Sequence, residues 1–332
     1  MPAAPNRRAV AAILLVPLTV TLALWAFAWP AARTAPRDLP VGIAGAAPAA
    51  DQLEQRLERR PGAFEIHRYT DDAAARAAIE ERVVYGAVVI TGNGPRLLTA
   101  SAAGPVVAQL LTEAVKASAP PGTAVPVTDV VAAPEADPRG SALGASILPL
   151  ALAGVAAGAI VTLLGLRGVR GVVALVGGAA LVGIAATGLT DSWLGVLTGD
   201  WWTEAGVIGL TVLAIGAPVA GLAALMGAPG IGVGALLMVL LGNSFSGVTS
   251  APEMLPEPVG ALGQWLPPGA GGSLLRSVAF FDGNAAGTAT TVLSTWALLG
   301  LAAVLARGRV RPEPTAEGTE RRTGVSAPAL TG

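Results

Sequence analysis

From Ala205 to Pro252 the chain carries no charged side chain. No water-soluble fold has room for an aliphatic stretch of that length, so this run constrains the architecture more than any other feature. Four more charge-free runs accompany it: Ala9–Trp29, Gly140–Leu166, Gly171–Thr190 and Gly283–Ala306. A hydrocarbon core about 30 Å thick requires roughly 20 apolar residues per helix. Ala205–Pro252 is too long for one crossing, and GAPG at 227–230 supplies a turn that splits it, because Pro lacks a backbone donor and Gly permits tight reversal. The reading is therefore an α-helical polytopic membrane protein with six transmembrane helices. Composition agrees: 53% of the 332 residues are hydrophobic and 13% charged, about half the charge of an average soluble domain.

Charge sets the direction. Arg7 and Arg8 precede the first run, Arg167 and Arg170 lie between the second and third, and Arg307, Arg309 and Arg311 follow the last. With alternating helices these fall on one side, whereas Asp191, Asp200, Glu204, Glu253, Glu257 and Asp282 fall on the other. Flanking Lys and Arg stay in the cytoplasm, which puts both termini inside a plasma membrane. Trp29, Trp193, Trp201 and Trp202 lie near the outer ends, where interfacial anchors sit. A cleaved signal peptide is the rival reading of the first run, since AFA (26–28) resembles a cleavage site. The run is longer than an ordinary signal core, and an uncleaved anchor is preferred.

Residues 33–139 have the composition of a soluble domain. LPVGIAG (39–45), FEIHRYT (64–70), YGAVVI (85–90), PRLLTA (95–100) and VPVTDVVA (125–132) read as strands. DQLEQRLERR (51–60), DDAAARAAIEER (71–82) and 104–119 read as helices, the second opening on acidic residues that suit a helix N-terminus. Strands alternating with helices imply a small extracytoplasmic α/β domain with a partly parallel sheet. The chain then divides into residues 1–32 (cytoplasmic N-terminus and first helix), 33–139 (this domain), 140–306 (five membrane helices) and 307–332 (a disordered cytoplasmic tail).

Little in the chain supports catalysis. There is no cysteine and one histidine, His67, without neighbours to complete a metal site. Asp71 and Asp72 are accounted for as a helix start. TGNG (91–94) lacks the Lys-Ser/Thr of a phosphate loop, and no GxxxxGK[ST] occurs, so the chain does not hydrolyse nucleotide by itself. No catalytic, cofactor or metal residues are assigned. A net charge of −1 argues against a nucleic-acid partner. The six runs contain no ionisable residue, which weighs against a proton-coupled carrier. Gly140/Gly144, Gly154/Gly158 and Gly230/Gly234 are four apart and suit close helix packing.

Before the last run, residues 252–283 are half apolar and broken at Pro256, Pro258, Pro267 and Pro268. This interfacial segment fits short helices that enter the membrane surface without crossing. Leu262, Trp265, Leu266, Leu274, Leu275, Phe280 and Phe281 are expected to bury, with Glu257, Arg276 and Asp282 left in water.

One helix, a large outer α/β domain, and five helices with a broken outer segment before the last together resemble the permease subunits of type-2 ABC exporters, in the branch related to the phage-infection protein. The residues that carry the resemblance are DPRGSALGASILPL (137–150), LGNSFSGVTSAPEMLP (241–256) and QWLPPGAGGSLLRSVAFFDG (264–283), with LPVGIAG and RVVYGAVVI in the outer domain. The resemblance implies a conduit built from a homodimer or a paired permease, with energy from a separate cytoplasmic ATPase subunit. It also implies an outer gate near Asn243, Ser246, Glu253, Trp265, Pro267, Pro268 and Arg276. Where that family docks its ATPase on a helix between the second and third spans, this chain has only the short connection around 165–171. Without the resemblance, the residues equally allow a membrane scaffold or receptor that presents an outer binding domain.

Overall fold

A computed structural model describes residues 4–92, 94–118 and 125–309. Five of its helices are long and apolar enough to cross a membrane: α1 (Ala4–Ala32), α5 (Ser141–Leu163), α6 (Gly168–Thr187), α7 (Trp201–Met226) and α11 (Ala286–Arg309). A π-wound stretch, Gly188–Trp193, extends α6. The fifth of the six expected spans, the second half of Ala205–Pro252, is shorter than expected. It forms α8 (Ala228–Ala235) and a π-wound continuation, Leu236–Asn243, and this combined helix spans only Ala228–Asn243. The chain leaves the helix after Asn243, and Gly247 soon follows with a φ of 66°. Ser244 Oγ donates to Leu240 O at 2.6 Å and Ser246 Oγ to Asn243 O at 2.8 Å. Helix α11 runs through Arg309 and so takes in the first residues of the tail expected from 307; residues 310–332 lie outside the described ones.

Helix α7 is the hub of the bundle. It packs against α5, α6, α11 and the later segment Pro267–Phe280, and most of its side chains are buried, unlike those of the other long helices. Small residues permit this. A Cβ on Gly158 would come 2.5 Å from Gly216 O, and one on Gly154 would come 2.7 Å from Ile215 Cβ, so the α5 backbone lies directly against both backbone and side chains of α7. Gly230 and Gly234 similarly press α8 against Leu222 and Val219 of α7. These glycine pairs are spent on packing within the chain. Helix α1 is the opposite case: its side chains are largely uncovered, and it meets the rest near its C-terminal end, where Trp25 stacks on Trp29 and lies edge-on to Phe245.

Several ionisable residues that the sequence reading places outside the runs fall within the ends of these helices, among them Arg170 in α6, Asp191 in its π-wound extension and Arg307 in α11, and one of them is buried. Helix α7 starts at Trp201, so Glu204 lies in its first turn, fully buried, with Oε1 accepting from Gly199 N at 2.8 Å. A carboxylate at the first turn of a helix faces its free N–H groups, which is why it is tolerated there.

Between α1 and α5 lies a five-stranded sheet, ordered β2-β1-β3-β4-β5. Its strands are β1 (Leu39–Gly45), β2 (Phe64–Tyr69), β3 (Gly86–Thr91), β4 (Gly94–Thr99) and β5 (Val127–Asp129). β1 is parallel to β2 and β3, β3 and β4 form an antiparallel hairpin, and β4 is parallel to β5. Helices α2 (Ala47–Glu58), α3 (Asp72–Glu80) and α4 (Pro105–Ser118) cover it. Asp71 caps α3 by accepting from Ala74 N at 2.9 Å.

The sheet does not stand apart from the helices. After a single 3₁₀ turn at Pro252–Met254 come two short helices, α9 (Val259–Gln264) and α10 (Pro267–Phe280), before α11. Ala251 and Met254 complete the apolar layer of Leu39, Val41, Leu97 and Val107 on one face of the sheet. Phe281 completes the layer of Ala44, Ile79, Val89 and Leu98 on the other. Leu274 and Leu275 of α10, meanwhile, belong to the bundle core with Ile208, Val212 and Leu293. Segment 251–281 therefore fills both cores at once.

Candidate functional site

Where this segment meets the sheet domain there is a cavity of about 460 Å³. The domain contributes Arg37, Arg82 and Tyr85; the segment contributes Glu253, Glu257, Gln264, Ser273 and Arg276; and Thr288 and Ala289 of α11 close one side.

Each polar side chain is fixed from a different element. Arg37 follows α1, and its backbone is tied to the 3₁₀ turn, with Arg37 N donating to Glu253 O at 2.9 Å and Nη1 to Met254 O at 3.1 Å. Arg82 terminates the turn after α3 with φ of 61°, and reaches across to α10. Its Nη1 donates to Ser273 O at 3.0 Å and to Ser277 Oγ, and its guanidinium lies 5.3 Å from the Phe281 ring centroid. Tyr85 Oη donates to Glu253 Oε2 at 2.8 Å. Arg276, on α10, is only 4% exposed and donates from Nη2 to Val248 O at 2.8 Å. Gln264 links the same layer, donating to Ser246 O at 2.8 Å and accepting from Ser273 Oγ at 2.6 Å.

The electrostatics are lopsided. Among the described residues no carboxylate lies within 4.0 Å of the guanidinium of Arg37, Arg82 or Arg276. Burial lowers the pKa of Arg276 to about 10, with the repulsion of Arg82 adding to it and Tyr85 and Glu253 opposing. Arg82 is lowered for the same first reason, partly offset by Tyr85 and Glu253. Tyr85 moves the other way: burial raises it, and the charge and hydrogen bond of Glu253 raise it further. At neutral pH both arginines are charged and Tyr85 is a neutral donor.

Of the seven residues expected at an outer gate, Glu253 and Arg276 line this cavity. Ser246 adjoins it through Gln264, and Asn243, at the end of the fifth span, accepts from Ser246 Oγ through its backbone carbonyl. Pro267 and Pro268 are buried in the first turn of α10, where a missing N–H costs nothing, and Pro268 packs against Gly242. Trp265 points away, 68% exposed, while its carbonyl accepts from Trp296 Nε1 at 2.8 Å. Arg276 corrects the sequence reading, which left it in water. Its acceptor, Val248 O, arrives from another part of the chain, and the sheet domain covers it. Arg37, Arg82 and Tyr85 carry no local signal that would have assigned them to a site. Elsewhere, His67 lies 3.3 Å from Glu65, and no group of potential metal ligands occurs among the described residues.

Comparison with known protein families, with curated proteins and with solved structures finds no match to this chain.

Proposed function

We propose that this chain is the permease-like component of an ABC-type export system, moving an apolar or amphipathic substrate outward with energy from a separate cytoplasmic ATPase. In this reading the sheet domain faces the outside, both termini face the cytoplasm, and Ala228–Asn243 completes a six-helix bundle despite its length. One observation carries it: the broken segment before α11 is packed against α5, α7 and α11 and built into the sheet domain as well. A segment joined to both bodies suits an outer gate, since a rearrangement of the helices would be passed directly to the domain above them. Deleting the chain should reduce efflux of lipophilic dyes, and the purified protein should bring down a nucleotide-binding subunit. Unchanged efflux together with a purified complex free of ATPase would refute the proposal.

A second reading is favoured by the connections at the opposite end of the bundle. Leu164–Arg167 joins α5 to α6, and Gly227 alone separates α7 from α8. Such short turns offer little surface for an ATPase and suit a scaffold or receptor that does not transport. Wild-type efflux combined with specific capture of an envelope component by the full-length protein would favour it.

A further inference from the structure

We infer that the cavity between the sheet domain and α10 is a binding site for an oxyanion, a phosphate or carboxylate group, with Arg276 and Arg82 as its principal ligands.

Three observations carry this. Arg276 has five N–H donors, yet only Nη2 has an acceptor among the described residues, and the buried Nε has none. A buried donor left without a partner costs about 1–3 kcal/mol, and a guanidinium taken out of water costs more still. Both penalties are relieved by an anion in the cavity that this side chain lines. The second observation is the charge balance: Arg37, Arg82 and Arg276 face Glu253 and Glu257, three cations against two carboxylates. Glu253 is further occupied by the Tyr85 hydroxyl. This leaves an excess of one positive charge, which matches a single anionic group better than a doubly charged one. The third is the wall chemistry. Val83, Val84, Leu255, Ala261 and Ala289 also line the cavity, so an apolar body attached to the anion would be accommodated.

The same chemistry could be offered by a free ion or by the headgroup of an amphiphile. The inference does not depend on the export reading, because it concerns equilibrium binding and not transport.

The test uses the full-length protein purified in a non-ionic detergent, with binding followed by calorimetry and by the thermal midpoint. Inorganic phosphate, decyl phosphate and, as the cationic control, decyltrimethylammonium are titrated in turn. Saturable binding of decyl phosphate, of inorganic phosphate or of both supports the site, and whichever binds more tightly identifies the source. Arg276→Gln should weaken binding about tenfold or more, the scale of a lost charge-assisted hydrogen bond. Because that variant also loses its bond to Val248, two exposed positions provide independent readings. Glu257→Gln removes an opposing charge and should tighten binding, and Ala261→Phe should block it by filling the mouth. Absence of saturable anion binding, equal uptake of the cationic control, or affinities unchanged in Glu257→Gln and Ala261→Phe would overturn the inference.

Discussion

Single residues hold the junctions of this molecule together. Asp137 is the clearest case: buried in the tether between sheet and bundle, it accepts from Ser141 N and Oγ at 2.9 Å each and from Ala142 N at 2.7 Å. Asp137→Ala should cost about 1–2 kcal/mol, read as a lowered thermal midpoint in detergent, because α5 loses the acceptor for its first-turn donors. The titratable groups of the cavity give a second expectation. Arg37, Arg82, Tyr85, Glu253, Glu257 and Arg276 all face it. Arg276 has its pKa lowered to about 10, so it is the cation form that is lost as pH rises through that value. Anion affinity should therefore not be lost to arginine deprotonation through the neutral range and should fall as pH approaches 10, in titrations of decyl phosphate at constant ionic strength. A decline already complete at neutral pH would contradict this.

At the level of elements, glycine position decides where helices touch. Gly158→Ala places a methyl group against Gly216 O and should destabilise the protein by about 1–3 kcal/mol, as overpacking does. Gly177→Ala, on α6, meets nothing within 4 Å and should leave the thermal midpoint unchanged or raised. Much of this architecture is legible in the sequence. The charge-free runs mark α1, α5, α6, α7 and α11, because nothing else tolerates such lengths, and residue alternation marks the strands. Boundaries were harder to read. Helix α2 begins at Ala47, ahead of the charged stretch that announces it, because Pro48 sits in the first turn where its missing N–H is harmless. The fifth span stops at Asn243, short of the Pro252 that ends its charge-free run, a boundary that hydropathy does not register. The cavity was not legible at all. Arg37, Arg82, Glu253 and Arg276 come from opposite ends of the chain, and Arg276 looks like a surface residue until the distant Val248 carbonyl is brought to it.

For the whole molecule, orientation is the property to measure, and the absence of cysteine makes the measurement clean. Glu58→Cys on the sheet domain should react with a membrane-impermeant maleimide in intact cells, whereas Arg167→Cys should react only after permeabilisation. The reverse pattern would place the domain in the cytoplasm and remove the basis of the export reading. The joining of the two bodies has a last consequence for how this protein is handled at the bench. Phe281 fills one face of the sheet, and Ala251 and Met254 fill the other, all three belonging to chain far downstream. Residues 33–139 expressed on their own would be an unfinished fold with greasy sockets on both sides. Such a fragment should be sticky and poorly soluble until a peptide spanning 250–284 is fused to it to plug those sockets.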